Sequence, residues 1–155
     1  MMDVNADTYM REAILEAEAA LHEGEMPVGC VIADADGQII GRAHNRREAQ
    51  SDPTAHAEIL AIRQAAAVLG DWRLSGCTLF VTLEPCPMCA GAIVMARLAR
   101  VVYGASDRAA GCAGSVYRIT EDPSFNHYAP SDGGVLTEEC AQLIEEFFLA
   151  RRQQP

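Results

Sequence analysis

The sequence contains no lysine, and its positive charge is scarce. All twelve basic residues are arginine, against 22 aspartate and glutamate residues, which gives a formal net charge of −10 at pH 7. A chain of this composition has no bulk positive field to attract a nucleic acid or an anionic membrane. Arginine nevertheless binds phosphate well, through its planar, forked guanidinium group. Any contact with a polyanion is therefore expected at a local arginine cluster.

The sequence also lacks long apolar runs, and its cysteine content is low. No stretch of about 18 uncharged apolar residues occurs, which argues against a membrane-spanning helix. Residues 1–21 contain acidic side chains throughout and lack the apolar centre of a signal peptide. Six cysteines in 155 residues are too few for a disulfide scaffold. These features predict a cytoplasmic protein with reduced thiols and no membrane partner.

No repeat, low-complexity tract or linker rich in proline, glycine or serine divides the chain. Its 155 residues correspond to about one domain, and the 50% hydrophobic content is ample for a packed core. Residues 1–155 are therefore predicted to form a single domain.

The first part of the chain alternates between helix and strand patterns. Apolar residues at helical spacing predict a helix that Asp7 or Thr8 caps and Gly24 ends. Val28–Ala33 is apolar on both faces, as a central strand would be. An Asp-Gly hairpin turn then leads into a strand at Ile39–Ala43.

The alternation continues to the end of the chain. Pro53 and Thr54 are predicted to open a second helix, which Gly70 ends. A strand at Cys77–Leu83 leads into a third helix that reaches about Arg97, because prolines suit the first turn of a helix.

A short strand at Val101–Gly104 and a last helix from near Thr137 complete the predicted elements, and residues 105–126 are ambiguous. The last helix is expected to bury Leu143, Ile144, Phe147 and Phe148. Helices that alternate with strongly apolar strands predict the α/β class, as a three-layer α/β/α sandwich with a mixed central sheet.

Two fragments at predicted helix starts carry the chemistry, a His-x-Glu at residues 56–58 and a Cys-x-x-Cys at residues 86–89. A helix N-terminus favours anionic sulfur, so two thiolates can hold one zinc ion there. A histidine nitrogen completes three protein ligands and leaves a fourth position for water, which is typical of catalytic zinc. Glu58 is then free to move protons.

Alternatives remain for each fragment alone. Positions i and i+2 do not share a helix face, so His56 and Glu58 should diverge unless they lie in the first turn. The Cys-x-x-Cys alone fits a thiol redox pair equally well. The combined H-x-E…P-C-x-x-C pattern is the signature of zinc deaminases. We therefore predict one zinc ion per chain, held by His56, Cys86 and Cys89, with Glu58 as the proton shuttle.

From about Tyr9 to Arg152 the chain resembles the bacterial tRNA adenosine deaminases of the cytidine-deaminase-like superfamily. The zinc motif is common to the superfamily, whereas Gly114-Ser115, Asn126-His127 and the final helix are more particular to tRNA deaminases. The shared fragments are Glu25-Met26-Pro27-Val28-Gly29, His44-Asn45-Arg46, residues 52–58, 82–86, 88–92 and 101–105, Gly114-Ser115, Asn126-His127 and Phe147-Phe148…Arg151-Arg152.

The resemblance implies a cytidine-deaminase-like fold, a homodimer and zinc-dependent hydrolysis of adenosine to inosine at the wobble position of a tRNA anticodon. An arginine tRNA with an ACG anticodon is the expected partner. Residue by residue, it implies that Asn45 hydrogen-bonds the flipped nucleotide, that Met26 and Val28 line the base pocket, and that Asn126 and His127 touch the anticodon backbone.

Four arginines are candidates for the RNA backbone: Arg46, Arg47, Arg151 and Arg152. The first pair, beside Asn45, is the better candidate, with a solvated loop as its alternative, and the terminal pair equally suits the negative end of a helix dipole. The chain departs from the resemblance at Ala109 and Ala110, where relatives often carry lysine, and it has no basic tail. These departures lower the expected affinity for RNA.

Two other functions are alternatives to tRNA editing. A free-base deaminase such as guanine deaminase shares the zinc motifs but typically lacks the final Phe-Phe…Arg-Arg helix. A non-catalytic zinc scaffold would need the ligands but not Glu58. His44 fits a packed strand end and a contact with a substrate base equally well, and the other four cysteines are expected to be buried small hydrophobes.

Overall fold

The computed structural model describes residues 5–153. Its elements, in chain order, are α1 (Ala6–His22), β1 (Gly29–Ala33), β2 (Ile39–His44), α2 (Ala57–Leu69), β3 (Thr78–Leu83), α3 (Pro87–Met95), β4 (Arg100–Ala105), a 3-10 turn (Ile119–Glu121), β5 (Ser131–Asp132) and α4 (Thr137–Arg152). The predicted lack of a basic tail concerns Gln154 and Pro155, which lie outside the described residues.

The strands form one five-stranded sheet in the order β2-β1-β3-β4-β5. β1 pairs antiparallel with β2 and β3, whereas β3 pairs parallel with β4, and β4 pairs parallel with β5. The sheet is therefore mixed, as predicted.

Helices cover both faces of the sheet, because successive residues of its central strands point to opposite sides. Cys30 and Ile32 of β1 pack in a core with α2 and α3. Val31 and Ala33, between and after them, pack in a second core with α1 and α4. Gly29 allows α1 to approach closely, since a Cβ atom there would collide with the α1 backbone. The three-layer α/β/α prediction is confirmed.

The predicted start of α2, at Pro53 and Thr54, is wrong by three to four residues. The Asp52 carboxylate accepts hydrogen bonds from the backbone N–H of Thr54 at 2.8 Å and from its hydroxyl at 2.7 Å. These bonds close a turn whose residue types imitate a helix start. The helix begins only at Ala57, and Gly70 ends it in the left-handed conformation, as predicted.

The burial predicted for α4 is partly wrong. Phe147 is buried, but Phe148 is 43% exposed. Leu143 and Ile144 are half-buried. The four cysteines outside the zinc motif are all buried, as expected: Cys30, Cys77, Cys112 and Cys140. None of the helices within residues 5–153 is long and apolar enough to cross a membrane.

Candidate metal centre and active-site pocket

Two helix N-termini converge beyond the carboxyl end of β3. His56 occupies the position before α2, with extended backbone angles (φ −77°, ψ 153°), and Cys86 occupies the same position before α3 (φ −75°, ψ 175°). Because His56 precedes its helix, it does not follow the helical face rule that would separate it from Glu58. This local backbone resolves the spacing problem in the sequence.

The three predicted metal ligands lie together. The Nδ1 atom of His56 is 3.6 Å from the Cys86 Sγ and 3.5 Å from the Cys89 Sγ. A tetrahedral zinc ion with bonds of about 2.0 to 2.3 Å separates nitrogen and sulfur ligands by roughly 3.5 Å. The two thiols and one imidazole are also the ligand types that zinc prefers. The residues therefore fit one zinc ion.

The two thiols differ in acidity because they share a hydrogen bond. That bond from Cys89, helped by His56, lowers the pKa of Cys86 to about 4 against the opposing effect of burial. The same bond and burial raise the pKa of Cys89. A Cys86 thiolate is thus favoured at the start of α3, where the helix dipole also stabilises negative charge.

Glu58 lies beside the ligands in the first turn of α2, and only 3% of its surface is exposed. Burial raises the pKa of Glu58 to about 7, and the hydrogen bond to its backbone N–H and the nearby His56 only partly offset this. A carboxyl group that titrates near neutral pH can both accept and donate a proton. Its environment therefore suits general acid–base work.

These groups open into a cavity of about 190 Å³. Seven residues singled out in the sequence line it: Met26, Val28, Asn45, Arg47, His56, Glu58 and Cys86. Asn45 is held from both ends, because its Nδ2 donates to the Met26 carbonyl at 3.3 Å and its Oδ1 accepts from the Arg47 backbone N–H at 3.1 Å. The cavity therefore has apolar walls with one oriented amide and two buried carboxyl groups, those of Glu58 and Glu84.

Sequence reasoning missed five lining residues: Ala57, Leu83, Glu84, Asp107 and Ala110. Glu84 belongs to the Thr-Leu-Glu-Pro-Cys fragment, and that position next to a ligand was a usable signal. Asp107 and Ala110 lie in the segment whose secondary structure was ambiguous, and nothing in their spacing indicated a pocket.

Other predicted substrate contacts lie apart from the cavity lining. The His127 Nε2 is 2.6 Å from the Leu98 carbonyl oxygen, which precedes β4, whereas the cavity lies beyond the other end of that strand. Its neighbour Asn126 is exposed. The anticodon-backbone role of both residues stays a prediction.

The arginine candidates differ in their surroundings. Arg47 lines the cavity, whereas the Arg46 Nε is 3.8 Å from a Glu23 carboxylate oxygen. Arg151 lies over the Phe147 ring at 4.7 Å, and Arg152 ends α4 beside it. Of the four candidate arginines, Arg47 is therefore the one that lines the pocket.

His44 packs against α1 and does not line the cavity. Its Nδ1 is 2.9 Å from a Glu16 carboxylate oxygen, and its Nε2 contacts the Glu23 carboxylate. The packed strand end, one of its two open interpretations, is the one that the structure supports.

Comparison with known proteins agrees with this site. A family model described as the cytidine and deoxycytidylate deaminase zinc-binding region matches residues 3–105. The tRNA-specific adenosine deaminase of Bacillus subtilis (strain 168) is 49% identical over 148 residues, which cover 96% of this chain and 91% of that protein.

Two solved structures share the fold. One, from studies of A-to-I editing by tRNA:A34 deaminases at the wobble position of transfer RNA, has a TM-score of 0.84 at 42% identity and covers 88% of this chain and 98% of that one. A guanine deaminase from Bacillus subtilis has a TM-score of 0.64 at 35% identity and covers 99% of this chain and 96% of that one. The chain therefore belongs to the cytidine and deoxycytidylate deaminase family, in the branch of the tRNA-specific adenosine deaminases.

Proposed function

We propose that the protein hydrolyses adenosine to inosine at the wobble position of a tRNA anticodon. One observation carries the proposal: His56, Cys86 and Cys89 stand within metal-binding distance of one another, and Glu58 lies beside them in a cavity with an oriented amide. Nearly half of the residues are identical to a tRNA-specific adenosine deaminase over most of both chains. The reaction consumes one water molecule and releases ammonia.

His56, Cys86 and Cys89 would hold the zinc ion. A zinc ion in such a site lowers the pKa of water towards about 7 and so supplies hydroxide at neutral pH. The chain's own task is to present two anionic sulfurs and one neutral imidazole nitrogen. The N-termini of α2 and α3 provide the positive potential that stabilises those sulfurs.

Glu58 moves the protons. Its carboxylate takes a proton from the attacking water and gives it to the purine ring. It then takes the remaining proton from the oxygen added at C6 and delivers it to the amino group, which leaves as ammonia. Burial keeps bulk water away from the carboxyl group and raises its pKa to about 7, so that both protonation states are accessible. The C–N bond at C6 breaks as ammonia departs.

The cavity fixes the base. Met26 and Val28 supply apolar walls, and the Asn45 amide can hydrogen-bond the nucleotide without turning, because both of its ends are already held. A base must leave its stack to enter such a cavity. A single-stranded anticodon loop gives up a base at less cost than a duplex does.

Free guanine is the second candidate substrate, because the Bacillus subtilis guanine deaminase is 35% identical over 96% of its chain. The tRNA:A34 deaminase structure is the better match, at 42% identity with a TM-score of 0.84 against 0.64. The terminal helix α4, with its Phe-Phe…Arg-Arg ending, also favours the tRNA branch.

The test is incubation of the zinc-loaded protein with an in-vitro-transcribed arginine tRNA that bears an ACG anticodon. We expect inosine at the wobble position. We also propose that the reaction takes place in the cytoplasm, because the six cysteines are free and the cytoplasm keeps thiols reduced. Reverse transcription reads inosine as guanosine, and the Glu58→Ala variant is the negative control. Efficient release of ammonia from free guanine, with no change in the tRNA, would move the assignment to the small-molecule branch.

We also propose a homodimer that pairs through the apolar face of α2 and α3. Trp72 and Met95 are 55% and 70% exposed on this face. They line a groove of about 480 Å³ together with Ile59, Ile62 and Ala92, and Arg63 and Arg97 lie at the same groove. Contiguous exposed apolar surface of this kind is uncommon on monomers. A second copy of the chain would cover it.

A further inference from the structure

Two loops form part of the pocket wall, and neither contains a metal ligand. Residues 45–49 follow β2 and place Arg47 at the cavity, and residues 107–115 follow β4 and place Asp107 and Ala110 there. Loops of this kind need a fixed support if they are to present a constant shape to a substrate.

A buried glutamate supports the first loop. Glu25 is 2% exposed, and its Oε1 accepts a hydrogen bond from the Glu48 backbone N–H at 3.0 Å while its Oε2 accepts one from the Ala49 N–H at 2.7 Å. Both carboxylate oxygens therefore point into the same turn. That turn immediately follows Arg47, whose own N–H is bound by Asn45.

A second buried glutamate supports the other loop. Glu84 is 2% exposed, and its carboxylate accepts four hydrogen bonds from the loop. The donors are the backbone N–H groups of Asp107, Ala113 and Ser115, at 3.0, 3.1 and 2.9 Å, and the Ser115 hydroxyl. Burial alone raises the pKa of Glu84, but these bonds outweigh it and leave the pKa below its usual value.

The second loop is shaped around that carboxylate. Gly111 lies so close to Glu84 that a Cβ atom at position 111 would overlap the carboxyl group. The Asp107 carboxylate in turn accepts from the Ala109 and Ala110 N–H groups at 3.0 and 3.1 Å, which closes the first turn of the loop. A chain of hydrogen bonds thus runs from Glu84 to the residues at the cavity.

We propose that Glu25 and Glu84 are positioning residues, each of which independently holds one wall of the base pocket in the shape that binds substrate. They share no hydrogen-bond donor, and they enter from separate parts of the fold, one after α1 and the other after β3. The substrate part of this inference rests on the proposed function. The anchoring part does not.

The experiment uses Glu25→Gln and Glu84→Gln in the zinc-loaded protein. Glutamine keeps the size of the side chain but replaces one carboxylate oxygen with an NH2 group. This group is a donor, so it cannot accept the hydrogen bonds that the oxygen accepted from the loop N–H groups. Amide hydrogen exchange is measured at residues 48 and 49 and at residues 113 and 115. Kinetics with the anticodon stem-loop and the zinc content are measured on the same preparations.

We expect each substitution to speed exchange about tenfold or more in its own loop and to leave the other loop unchanged, because a hydrogen bond to a charged acceptor is lost. KM should rise about tenfold, with a kcat change below about threefold and full zinc content. Glu145→Gln, on the exposed surface of α4, is the matched control and should change neither quantity. Ser115→Ala, which removes only the hydroxyl donor, should give a smaller effect in the second loop alone.

Exchange that speeds in both loops at once would overturn the independent anchoring. Local exchange without a rise in KM would overturn the positioning role. If Glu84→Gln does not fold, Ser115→Ala tests the anchoring of the second loop. If Glu25→Gln does not fold, Glu25→Asp, with its shorter side chain, tests the anchoring of the first loop. A wild-type protein that leaves the stem-loop unedited would overturn the proposed function alone, and loop-specific exchange would still support the anchoring.

Discussion

At the residue scale, His56 and Cys86 share one structural position, the residue before a helix. That position leaves the side chain outside the helical spacing, so the ligand can turn towards its partners while the helix N-terminus faces them. Cys89 completes the set from the first turn of α3, where it is fully buried. The chemistry of the site therefore depends on where two helices begin.

Removal of a thiolate should empty the site of zinc. Cys86→Ala leaves one thiol and one imidazole, and two ligands do not hold a catalytic zinc ion. We expect about one zinc ion per wild-type chain and well under a tenth of that in the variant, measured by elemental analysis after dialysis. Cys112→Ala, a buried cysteine outside the motif, is the control and should retain zinc. Full zinc content in Cys86→Ala would remove Cys86 from the ligand set.

Loss of the proton shuttle should abolish turnover without loss of the metal. General acid–base groups contribute about 10²- to 10⁴-fold, and Glu58 acts at more than one step. We expect Glu58→Ala to retain zinc and fold but to lose at least about 10²-fold in kcat, measured as inosine formed per minute. A variant with more than a tenth of the wild-type rate would contradict the role. Zinc analysis of the same sample separates this outcome from loss of the metal.

At the element scale, the four helices and the first four strands follow from periodicity, whereas the two-residue strand β5 and the loops do not. Strong apolar patterns gave β1 and β3 to within a residue of their N-terminal ends. The start of α2 was misplaced because the Asp52–Thr54 turn satisfies its own backbone with the residues that also cap helices. The structure of the 107–115 loop could not be predicted, because hydrogen bonds to Glu84, more than twenty residues earlier, determine its shape. Local patterns carry no trace of such a distant partner.

One contact between elements should make stability sensitive to acid. Glu16 of α1 binds Arg42 and His44 of β2, each at 2.9 Å. Partial burial raises its pKa, but the bonds from His44 and Arg42 outweigh burial and leave the pKa of Glu16 below its usual value of 4.5. A carboxylate with a lowered pKa in the folded state stabilises the fold above its unfolded pKa, and that contribution is lost as the pH falls through the folded value.

Glu16→Gln should therefore lower the free energy of unfolding by about 1 to 2 kcal/mol at pH 7. The difference from wild type should shrink as the pH falls below about 4.5, where the wild-type carboxylate also becomes neutral. Urea unfolding at several pH values measures it. Glu18→Gln, on the exposed side of the same helix, is the control. A difference that stays constant from pH 7 to pH 3 would contradict the ion-pair explanation.

At the scale of the whole molecule, the surfaces of the two helical layers differ. α1 and α4 each carry four acidic residues, and a groove between them is lined by Glu18, Glu139 and Glu146. The α2–α3 face is instead mainly apolar, with Arg63 and Arg97 as the charged residues at its groove. Repulsion disfavours anionic partners at the acidic groove, and the α2–α3 face is the one suited to self-association.

A charge on the apolar face should break the dimer. Met95→Glu places a carboxylate at the most exposed apolar position of the patch, where a partner would have to desolvate it. We expect wild-type protein to have twice the mass of the chain in light scattering at micromolar concentration, and the variant to have the mass of one chain. Leu15→Glu, 55% exposed on α1, is the control and should remain dimeric. A wild-type monomer would contradict the proposal.

The net charge of −10 has a measurable consequence for RNA binding. If a local arginine surface binds the anticodon loop against the overall charge, affinity must fall steeply with salt, by about 0.7 log units per log unit of salt for each single-strand phosphate neutralised.

Arg47 lines the cavity, and its side chain is half exposed. Arg47→Ala should therefore reduce the slope by about 0.7 and raise KM more than it lowers kcat. Arg46→Ala should have a smaller effect, because Arg46 does not line the cavity. Arg11→Ala, paired with Glu139 on the α1–α4 side, is the control that should leave the slope unchanged. Stem-loop binding measured between about 50 and 200 mM salt decides the matter, and a slope that no arginine substitution alters would mean that these side chains only solvate their loop.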